Sequence, residues 1–471
     1  DYKVTGVQTC ALPISGLLSP ESSAFLRLSY LGEWPEAGER CQLQLRLSDG
    51  RRHRLEVDVT CPKLQEFAGW LVIDLGSSAS SAALLWDDGR LESVQLTPES
   101  PYLPSGLRYH GDGTIEATAE QGPDVIWQAK RCLGLGHTLG RVQIGDRFKD
   151  LTPFQVVRDT FRALFQALFE VDGLADFSFP RIALCHPVGF SPRQVGELER
   201  ALRAAGAISA QVVTMSEPLA AAFHALSGQI HPLPQRVWRL LCLDFGAMTS
   251  DVALLRVDSR DGARVTVELE AVGGDRWFGG WDITRWLAEL LPAEVKEQAE
   301  EMKCKGGLPP ELLSALEERV KARLPSSLPR RGELSPDRIL LTGRGSAYPA
   351  IEAFLRERFP GVVIQRSSHP KECVVLGAAR HPELARSLGP RYFGPEGTYL
   401  QLPERPEKPV FGVRLGLKIL GPQGAEFYPM VEPGSPMNEL GASADLARIS
   451  LQPGTNPIEV LENLGWEDSL V

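Results

Sequence analysis

One short motif occurs twice in the chain, and its spacing constrains the fold more than any other feature. Residues 72–80 read VIDLGSSAS and residues 242–250 read CLDFGAMTS, so Asp74 and Gly76 return as Asp244 and Gly246 at a constant offset of 170 residues. Each copy continues into a second apolar run, ALL at 83–85 and at 253–255. The pattern predicts a β-hairpin with a tight turn of small residues. Two such hairpins predict two similar halves that face each other.

The turns of these hairpins have the composition of an anion-binding site. Gly and small residues leave backbone N–H groups exposed, and such groups form a nest for anionic oxygens. Ser77, Ser78 and Thr249 add hydroxyl donors, while Asp74 and Asp244 end the preceding strands. Two carboxylates near a polyphosphate suit Mg²⁺, which keeps several waters and takes few protein ligands. A single copy would be an ordinary turn, but the duplication favours a phosphate clamp.

Composition excludes several classes of protein. The chain has 471 residues with 50 Lys and Arg against 60 Asp and Glu, a net charge of −10, which disfavours a nucleic-acid partner. The nearest two of its 8 cysteines, Cys41 and Cys61, are 20 residues apart, so neither a CxxC motif nor a zinc ribbon is present. No apolar run has the length of a membrane span. We expect an acidic, soluble, intracellular protein of two or three domains.

The two ends of the chain differ from its middle. We interpret residues 1–15 as an artefact, because VTGVQTCALPI at 4–14 resembles translated sequencing adapter, and we exclude them with Cys10; the alternative is a natural disordered terminus. Residues 16–68 are predicted to be β-rich, with a hairpin centred on Asp49-Gly50 and a further strand at 25–31. Residues 388–410 are rich in Pro, and short alternating strands are predicted over 411–471.

The middle of the chain alternates between strands and helices, which predicts α/β layers. Short apolar strands are expected at 70–75, 181–185, 240–245 and 338–341. Amphipathic helices are expected at 152–169, 192–205, 293–303, 310–324 and 350–359.

Eight motifs in a fixed order carry a more specific resemblance. They are IDLGSS at 73–78, AKRCLG at 129–134, HPVGF at 186–190, EPLAAA at 217–222, DFGAMTSD at 244–251, GGWD at 279–282, LTGRGSAYP at 341–349 and PKECVVLGAA at 370–379. This series resembles the actin-like ATPase superfamily and, within it, the seventy-kilodalton heat-shock (DnaK-type) chaperones. The family's motifs cover about residues 69–385.

The resemblance implies a fold and a division into domains. It implies an α/β, two-lobed actin-like ATPase with duplicated ribonuclease H-like lobes, lobe I at 69–227 and lobe II with its closing helix at 228–387. A Pro-rich linker at 388–410 would then lead to a partial substrate-binding β-sandwich at 411–471. The β-rich piece at 16–68 would precede the ATPase.

The resemblance also implies roles for individual residues. Lys130 would reach the γ-phosphate and the attacking water, Glu217 and Asp251 would orient water, and Thr249 would complete this catalytic set. Asp74 and Asp244 would hold Mg²⁺ mostly through its waters. The nucleotide, ATP or ADP, would contact the turns and the later motifs through Asp74, Gly76, Ser77, Ser78, Asp244, Gly246, Ala247, Gly279, Gly280, Asp282, Glu300, Lys303, Gly343, Arg344, Gly345 and Ser346.

Plainer interpretations of the same residues remain open. Lys130 could be a solvated surface lysine, and the glycines could belong to ordinary turns. Glu217 follows Ser216, a residue typical of a helix N-cap, and an acid in the first turn of a helix is favourable without any catalytic role.

The resemblance also implies that Pro187 couples nucleotide state to a partner domain.

The sequence departs from the family in several places. Gly246-Ala247-Met248 replaces a run of three glycines, and Met248 would be strained if its position required a positive φ. The region between Trp286 and Arg338 is shorter than in the family, and we expect it to lack strands of the nucleotide-covering subdomain. Cys304 and Ala347 stand where arginines normally sandwich adenine, with Arg344 as a substitute. In the closing helix Lys371 replaces an acid, and a Pro-rich stretch replaces the apolar linker.

The resulting hypothesis is an Hsp70-like chaperone ATPase that slowly hydrolyses ATP with Mg²⁺. Its expected partners are client polypeptides with co-chaperones or an exchange factor, without nucleic acid or membrane, and we expect a cytoplasmic monomer. The main alternative is a nucleotide-binding regulatory module with weak or no hydrolysis. A sugar kinase of the same superfamily and an actin-like filament protein are disfavoured by the β-rich tail.

Overall fold

The computed structural model describes most of the middle of the chain and parts of its ends. The described residues are 40–46, 52–58, 64–388, 399–401, 414–421, 424–431, 459–463 and 468–470, with gaps inside the long segment at 123, 135–137, 145–146, 231, 262–263, 306–307, 325–327 and 329–334.

Strands of the described residues are numbered in chain order. They are β1 (Arg40–Arg46), β2 (Arg52–Asp58), β3 (Gln65–Glu66), β4 (Trp70–Asp74), β5 (Ala79–Leu85), β6 (Leu91–Ser93), β7 (Tyr102–Pro104), β8 (Gly106–Tyr109), β9 (Ile115–Thr118), β10 (Val125–Ile126), β11 (Gly140–Ile144), β12 (Arg147–Leu151), β13 (Phe177–Ser178), β14 (Arg181–His186), β15 (Gln211–Ser216), β16 (Val237–Phe245), β17 (Ser250–Asp261), β18 (Arg264–Asp275), β19 (Arg338–Thr342), β20 (Val363–Arg366), β21 (Tyr399–Gln401), β22 (Arg414–Gly421), β23 (Gly424–Val431), β24 (Glu459–Asn463) and β25 (Asp468–Leu470).

Helices occupy the segments between these strands. They are α1 (Pro153–Glu170), α2 (Pro192–Ala204), α3 (Glu217–His224), α4 (Gly280–Leu290), α5 (Ala299–Lys305), α6 (Pro310–Arg323), α7 (Pro349–Arg358), α8 (Cys373–Ala378) and α9 (Pro382–Leu388). A π-helical turn follows α3 at Ala225–Gln229, and 3₁₀ turns lie at Ala293–Gln298 and Arg344–Ala347.

Two six-stranded sheets organise the middle of the chain, and they share one topology. The first runs β15-β14-β4-β5-β6 with β7 also on β5, and the second runs β20-β19-β16-β17-β18-β21. In both, the first three strands are parallel and the next two pair antiparallel. The duplicated hairpins are β4-β5 and β16-β17, so both hairpins predicted from the repeat are confirmed.

The strands and helices predicted for residues 70–359 are found within a few residues of their expected limits. One predicted helix is different, because residues 293–298 form a 3₁₀ turn before α5 begins at Ala299. Local sequence explains the start of α1 and of α2. Thr152 and Ser191 cap these helices in reciprocal hydrogen bonds with Gln155 and Gln194, and a proline occupies the first turn of each.

Helices α3 and α8 pack between the two sheets. Their apolar residues share one core cluster with alternate residues of β4 and β16, including Trp70, Val72, Leu240 and Cys242. The intervening residues of those strands point the opposite way because side chains alternate along a strand. They form separate clusters, with α1 and α2 on the first sheet and with α4, α6 and α7 on the second.

The close approach of α3 and α8 depends on a glycine. A Cβ atom on Gly377 of α8 would lie 1.7 Å from the carbonyl oxygen of Ala220 and 3.0 Å from the backbone nitrogen of His224, both in α3. These are backbone atoms of a buried helix, so no flexible side chain could move aside. The two helices can therefore meet only with hydrogen at this position.

The terminal segments are β structure where they are described. β1 and β2 form an antiparallel hairpin in which Arg46 pairs with Arg52, which confirms the predicted hairpin; its Asp49-Gly50 turn and the strand expected at 25–31 lie outside the described residues. β23, β22, β24 and β25 form an antiparallel sheet of four strands, in agreement with the short strands predicted over 411–471.

We also asked whether any element is suited to a bilayer. Within the described part of the chain, no helix combines the length and apolar character that crossing a membrane requires.

The contact at Gly377 leads to a stability prediction. We expect Gly377→Ala to lower the free energy of unfolding by about 3 kcal/mol, because an inserted methyl group in a packed interior forces the backbone apart. Urea unfolding followed by circular dichroism measures this. Gly196→Ala in α2 is the matched control, since nothing lies within 4 Å of its added Cβ, and it should raise stability by roughly 0.5 kcal/mol. Equal stability of the two variants would contradict the close contact.

Candidate functional site

The strands of the two hairpins pair at equivalent positions. Asp74 ends β4 opposite Ser81, and Asp244 lies near the end of β16 opposite Asp251. The offset of 170 residues therefore holds in the pairing as well as in the sequence. The second copy has a further carboxylate, Asp251, at the position where the first copy has Ser81.

The first turn is fastened by a residue from outside the hairpin. The Ser105 hydroxyl donates to the Gly76 carbonyl oxygen at 2.7 Å, and the Ser105 backbone N–H donates to the Ser78 carbonyl oxygen at 3.0 Å. Ser77 and Ser78 are partly buried in the turn.

The second turn is held by the start of α4. The Gly246 N–H donates to the Thr249 carbonyl oxygen at 2.9 Å and closes the turn. The Gly280 N–H donates to Gly246 at 3.0 Å, and the Trp281 N–H donates to Ala247 at 2.7 Å. The GGWD motif therefore lies directly against the second turn.

Met248 is accommodated in this turn without backbone strain. Among the described residues other than glycine, only Gln128 has a positive φ, so the strain considered for Met248 does not arise. Its side chain is fully buried, and its carbonyl oxygen accepts a hydrogen bond from Arg131 at 3.4 Å.

Lys130 is a buried residue and lies at the centre of the charged groups. It is 6% exposed, and its Nζ donates to Glu217 Oε1 at 2.5 Å and lies 4.0 Å from Asp74 Oδ1. Burial alone would lower the pKa of Lys130, but the carboxylates of Glu217 and Asp74 reverse this effect and raise it above its ordinary value. The interpretation of Lys130 as a solvated surface lysine is therefore wrong.

Glu217 and Asp251 bring a helix and the second sheet into this cluster. Glu217 is the first residue of α3 and is 7% exposed; Ser216 occupies the N-cap position but its side chain makes no capping hydrogen bond. Asp251, 5% exposed, accepts a hydrogen bond at Oδ1 from the Val188 N–H at 3.0 Å. Val188 directly follows Pro187, so the HPVGF segment contacts the cluster.

The carboxylates have strongly perturbed pKa values. Burial, followed by repulsion from Glu217, raises the pKa of Asp74 to about 6. Burial and repulsion from Glu217 and Asp74 raise the pKa of Asp244 to about 7. Burial raises the pKa of Asp251 well above its usual range, with Glu217 and Asp244 adding to the effect. Burial is the largest cause of each shift, and repulsion among the neighbouring carboxylates adds to it.

These carboxylates fit a magnesium ion that is held mainly by water and phosphate. Asp74 Oδ1 is buried and has no hydrogen-bond partner. No group of three or more His, Cys, Asp or Glu side chains with the arrangement of a metal site occurs in the described residues. Mg²⁺ commonly uses only one or two carboxylates and completes its shell with waters and substrate phosphates. An unpartnered oxygen at Asp74 and the nearby Asp244 suit that mode.

The LTGRGSAYP motif closes the opposite side of the second turn. Gly343 has φ of +74°, and a Cβ there would lie 2.4 Å from Asp244 Oδ1, so this position requires glycine. Gly345 is similarly close to Phe245 and Gly246, while the buried Ser346 hydroxyl donates to the Gly343 carbonyl at 2.7 Å. The Arg344 guanidinium lies over the Tyr102 ring, 5.2 Å from its centroid.

Three predicted nucleotide contacts have structural partners of their own. Asp282 accepts from the Gly279 N–H at 2.9 Å and so caps α4. Lys303 Nζ donates to Glu300 at 2.6 Å and to the Gly280 carbonyl oxygen at 3.1 Å, which ties α5 to the start of α4. Asp282, Glu300 and Lys303 lie beside the second turn, and their contacts support it.

Sequence reasoning missed three residues that the structure brings to the first turn, which are Ser105, Tyr102 and Lys371. Lys371 Nζ donates to the Ala79 carbonyl oxygen at 2.6 Å across 292 residues of sequence. The sequence offered one indication for Lys371, which stands where the family has an acid. It offered no indication for Tyr102.

Comparison with known proteins finds a partial similarity to a chaperone. No family model matches the chain. Over 367 residues it is 26% identical to the "Chaperone protein DnaK" of Mycoplasmoides gallisepticum, a match that covers 65% of this chain and 58% of that protein. The chain thus spans less than two thirds of the length of this relative. The similarity supports a resemblance to Hsp70 chaperones at the level of the family.

The raised carboxylate pKa values predict how stability depends on pH. The folded protein keeps the Asp244 proton up to about pH 7, whereas an unfolded aspartate releases it near the ordinary value of 3.8. This contribution to stability is therefore present at low pH and is lost as pH rises from about 4 through 7. Without ligand, Asp244→Asn should be more stable than the parent by roughly 2 kcal/mol at pH 8, with a smaller difference at pH 5.

Urea unfolding of both proteins between pH 5 and 8 tests this expectation. Asp172→Asn, a change at an exposed aspartate after α1, is the control and should follow the parent at every pH. If the difference between Asp244→Asn and the parent is the same at pH 5 and pH 8, the raised pKa of Asp244 is wrong.

Proposed function

We propose that this chain is a divergent Hsp70-like ATPase that binds ATP, hydrolyses it slowly with Mg²⁺, and couples nucleotide state to a peptide-binding β domain. The proposal includes a two-lobed actin-like fold with duplicated ribonuclease H-like lobes at 69–227 and 228–387. One observation carries it. Lys130, Glu217 and Asp74 form a buried ionic cluster between the turns of the duplicated hairpins, and Asp251 belongs to the same electrostatic group.

The residues of this cluster suit phosphoryl transfer, which depends on positioning and electrostatic stabilisation. Exposed N–H groups of the two turns, with Ser77, Ser78 and Thr249, would hold the phosphate oxygens. Lys130 would neutralise negative charge that grows on the terminal phosphate, and Glu217 fixes the position of its ammonium group. A bound Mg²⁺ would neutralise charge on the phosphate chain, with Asp74 and Asp244 holding its waters.

The contact between Val188 and Asp251 supports the coupling part of the proposal. Asp251 lies beside the second turn, and the Val188 N–H binds it from the segment that begins at Pro187. Occupation of the turns would change the charge that Asp251 experiences and would bias this contact. A contact biased in this way would transmit nucleotide state.

The described part of the C-terminal segment agrees with a client-binding role. The antiparallel sheet of β22 to β25 has two edge strands, and a sheet edge can pair with an extended peptide. Client polypeptides, co-chaperones or an exchange factor are therefore the proposed partners of a cytoplasmic monomer.

A second candidate function is nucleotide binding without turnover. It is favoured by Asp251, because burial and the neighbouring Glu217 and Asp244 raise the pKa of this carboxyl well above its usual range and so disfavour the charged form that would accept a proton from water. In that case ATP would stabilise the protein by mass action, but no phosphate would be released.

The first proposal predicts that Lys130→Ala lowers the rate of phosphate release by about 100-fold, because an electrostatic contact to the transition state is lost. Phosphate release with ATP and Mg²⁺ is the measurement, and thermal unfolding with and without ATP reports binding separately.

Lys149→Ala is the matched control, since Lys149 is exposed on β12, and it should keep the parent rate. Equal rates in the parent and in Lys130→Ala would reject the ATPase proposal. Stabilisation of the parent by ATP without phosphate release would support the second candidate function instead.

A further inference from the structure

Lys371 contacts the first hairpin turn although it lies far from that turn in the sequence. It lies two residues before α8, and its Nζ donates to the Ala79 carbonyl oxygen at 2.6 Å. The same Nζ lies 3.0 Å from the position that a Cβ on Gly76 would occupy. The ammonium group is therefore packed against the turn that spans Gly76 to Ala79.

The Lys371 ammonium group lies among the aromatic and charged side chains of the candidate site. Lys371 Nζ lies 5.9 Å from the centroid of the Tyr102 ring, over which Arg344 also lies. Asp74 and Asp244 are among the charges that Lys371 experiences. The side chain is only partly buried, so a ligand in the turn could reach it.

Lys371 differs from Lys130 in what its ammonium group binds. Lys130 is committed to Glu217 in an ion pair. Across the described residues, Lys371 has no carboxylate within salt-bridge distance, and its hydrogen bond goes to a backbone carbonyl. An ammonium group has three N–H donors, so Lys371 can offer further donors to an incoming anion.

The charge balance of the site indicates which ligand would use these donors. The negative groups are the four carboxylates of Asp74, Asp244, Asp251 and Glu217. The positive groups are the ammonium groups of Lys130 and Lys371 and the Arg344 guanidinium. A polyphosphate adds several negative charges, and phosphate oxygens are strong acceptors for charged donors. A lysine beside the first turn would oppose the repulsion that this anion meets.

We propose that Lys371 is a polyphosphate-binding residue that donates to the terminal phosphates of a nucleotide and carries part of the neutralisation that a divalent cation otherwise supplies. This inference rests on the proposed nucleotide-binding function. The inference has a specific consequence. Removing the Lys371 charge should weaken nucleotide binding more without a divalent cation than with one.

The test is isothermal titration of ATP into the full chain, once with EDTA and once with Mg²⁺. We expect Lys371→Met, which keeps an unbranched side chain without the charge, to weaken binding in EDTA by about 10- to 100-fold. With Mg²⁺ the loss should be several-fold smaller. Lys371→Arg should restore much of the affinity in EDTA, and Lys149→Met, at an exposed lysine, should match the parent in both conditions.

Each outcome discriminates between the claims. A parent that binds ATP with Mg²⁺, beside a Lys371→Met variant that loses nothing or loses the same factor in both conditions, overturns the inference and leaves the proposed function standing. An equal loss is what the structural contact with Ala79 alone would produce. If the parent does not bind ATP even with Mg²⁺, the proposed function and the inference both fail. Should Lys371→Met unfold, Lys371→Arg and Lys371→Gln compared in EDTA decide the question, and equal affinities of those two variants reject the role of the charge.

Discussion

The contact between α3 and α8 determines how the rest of the structure is arranged. These helices meet with the Gly377 backbone against the Ala220 carbonyl oxygen, and both sheets pack on them through one shared core. The first residue of α3 is Glu217, and Lys371 comes two residues before α8. The same packing that buries apolar surface between the sheets therefore delivers an acid and a base to the hairpin turns. Stability and the candidate site depend on one interface.

The carboxylates of the candidate site are buried near one another, and burial and mutual repulsion raise their pKa values. Burial raises the pKa values of Asp74 and Asp244 to about 6 and 7, while Lys130 is bound to Glu217. Buried charge without adequate compensation opposes folding, and it is found where function requires it. A cation or a ligand with its own cation would relieve the repulsion, which links occupancy of the site to the stability of the protein.

Much of the fold and part of the site could be predicted from the sequence because both depend on local pattern. The apolar runs and the Asp-x-Gly turns predicted the two hairpins. Lys130 and Glu217, which the motifs singled out, form a buried ion pair, and Asp251 is buried beside the second turn. Other residues have roles that only their partners reveal. Asp282 caps α4, Lys303 ties α5 to the start of α4, and Met248 is buried without a positive φ.

By itself, the sequence determined the duplicated hairpins, several strands and helices of the middle of the chain, and the placement of glycine and carboxylate at each turn. These follow from side-chain periodicity and from turn chemistry, which act over a few neighbouring residues. The tertiary structure alone decided that Ser105 holds the first turn and that Lys371 and Arg344 approach Tyr102. Lys371 reaches Ala79 across 292 residues of sequence, and no local pattern encodes a contact set by the packing of two helices between two sheets.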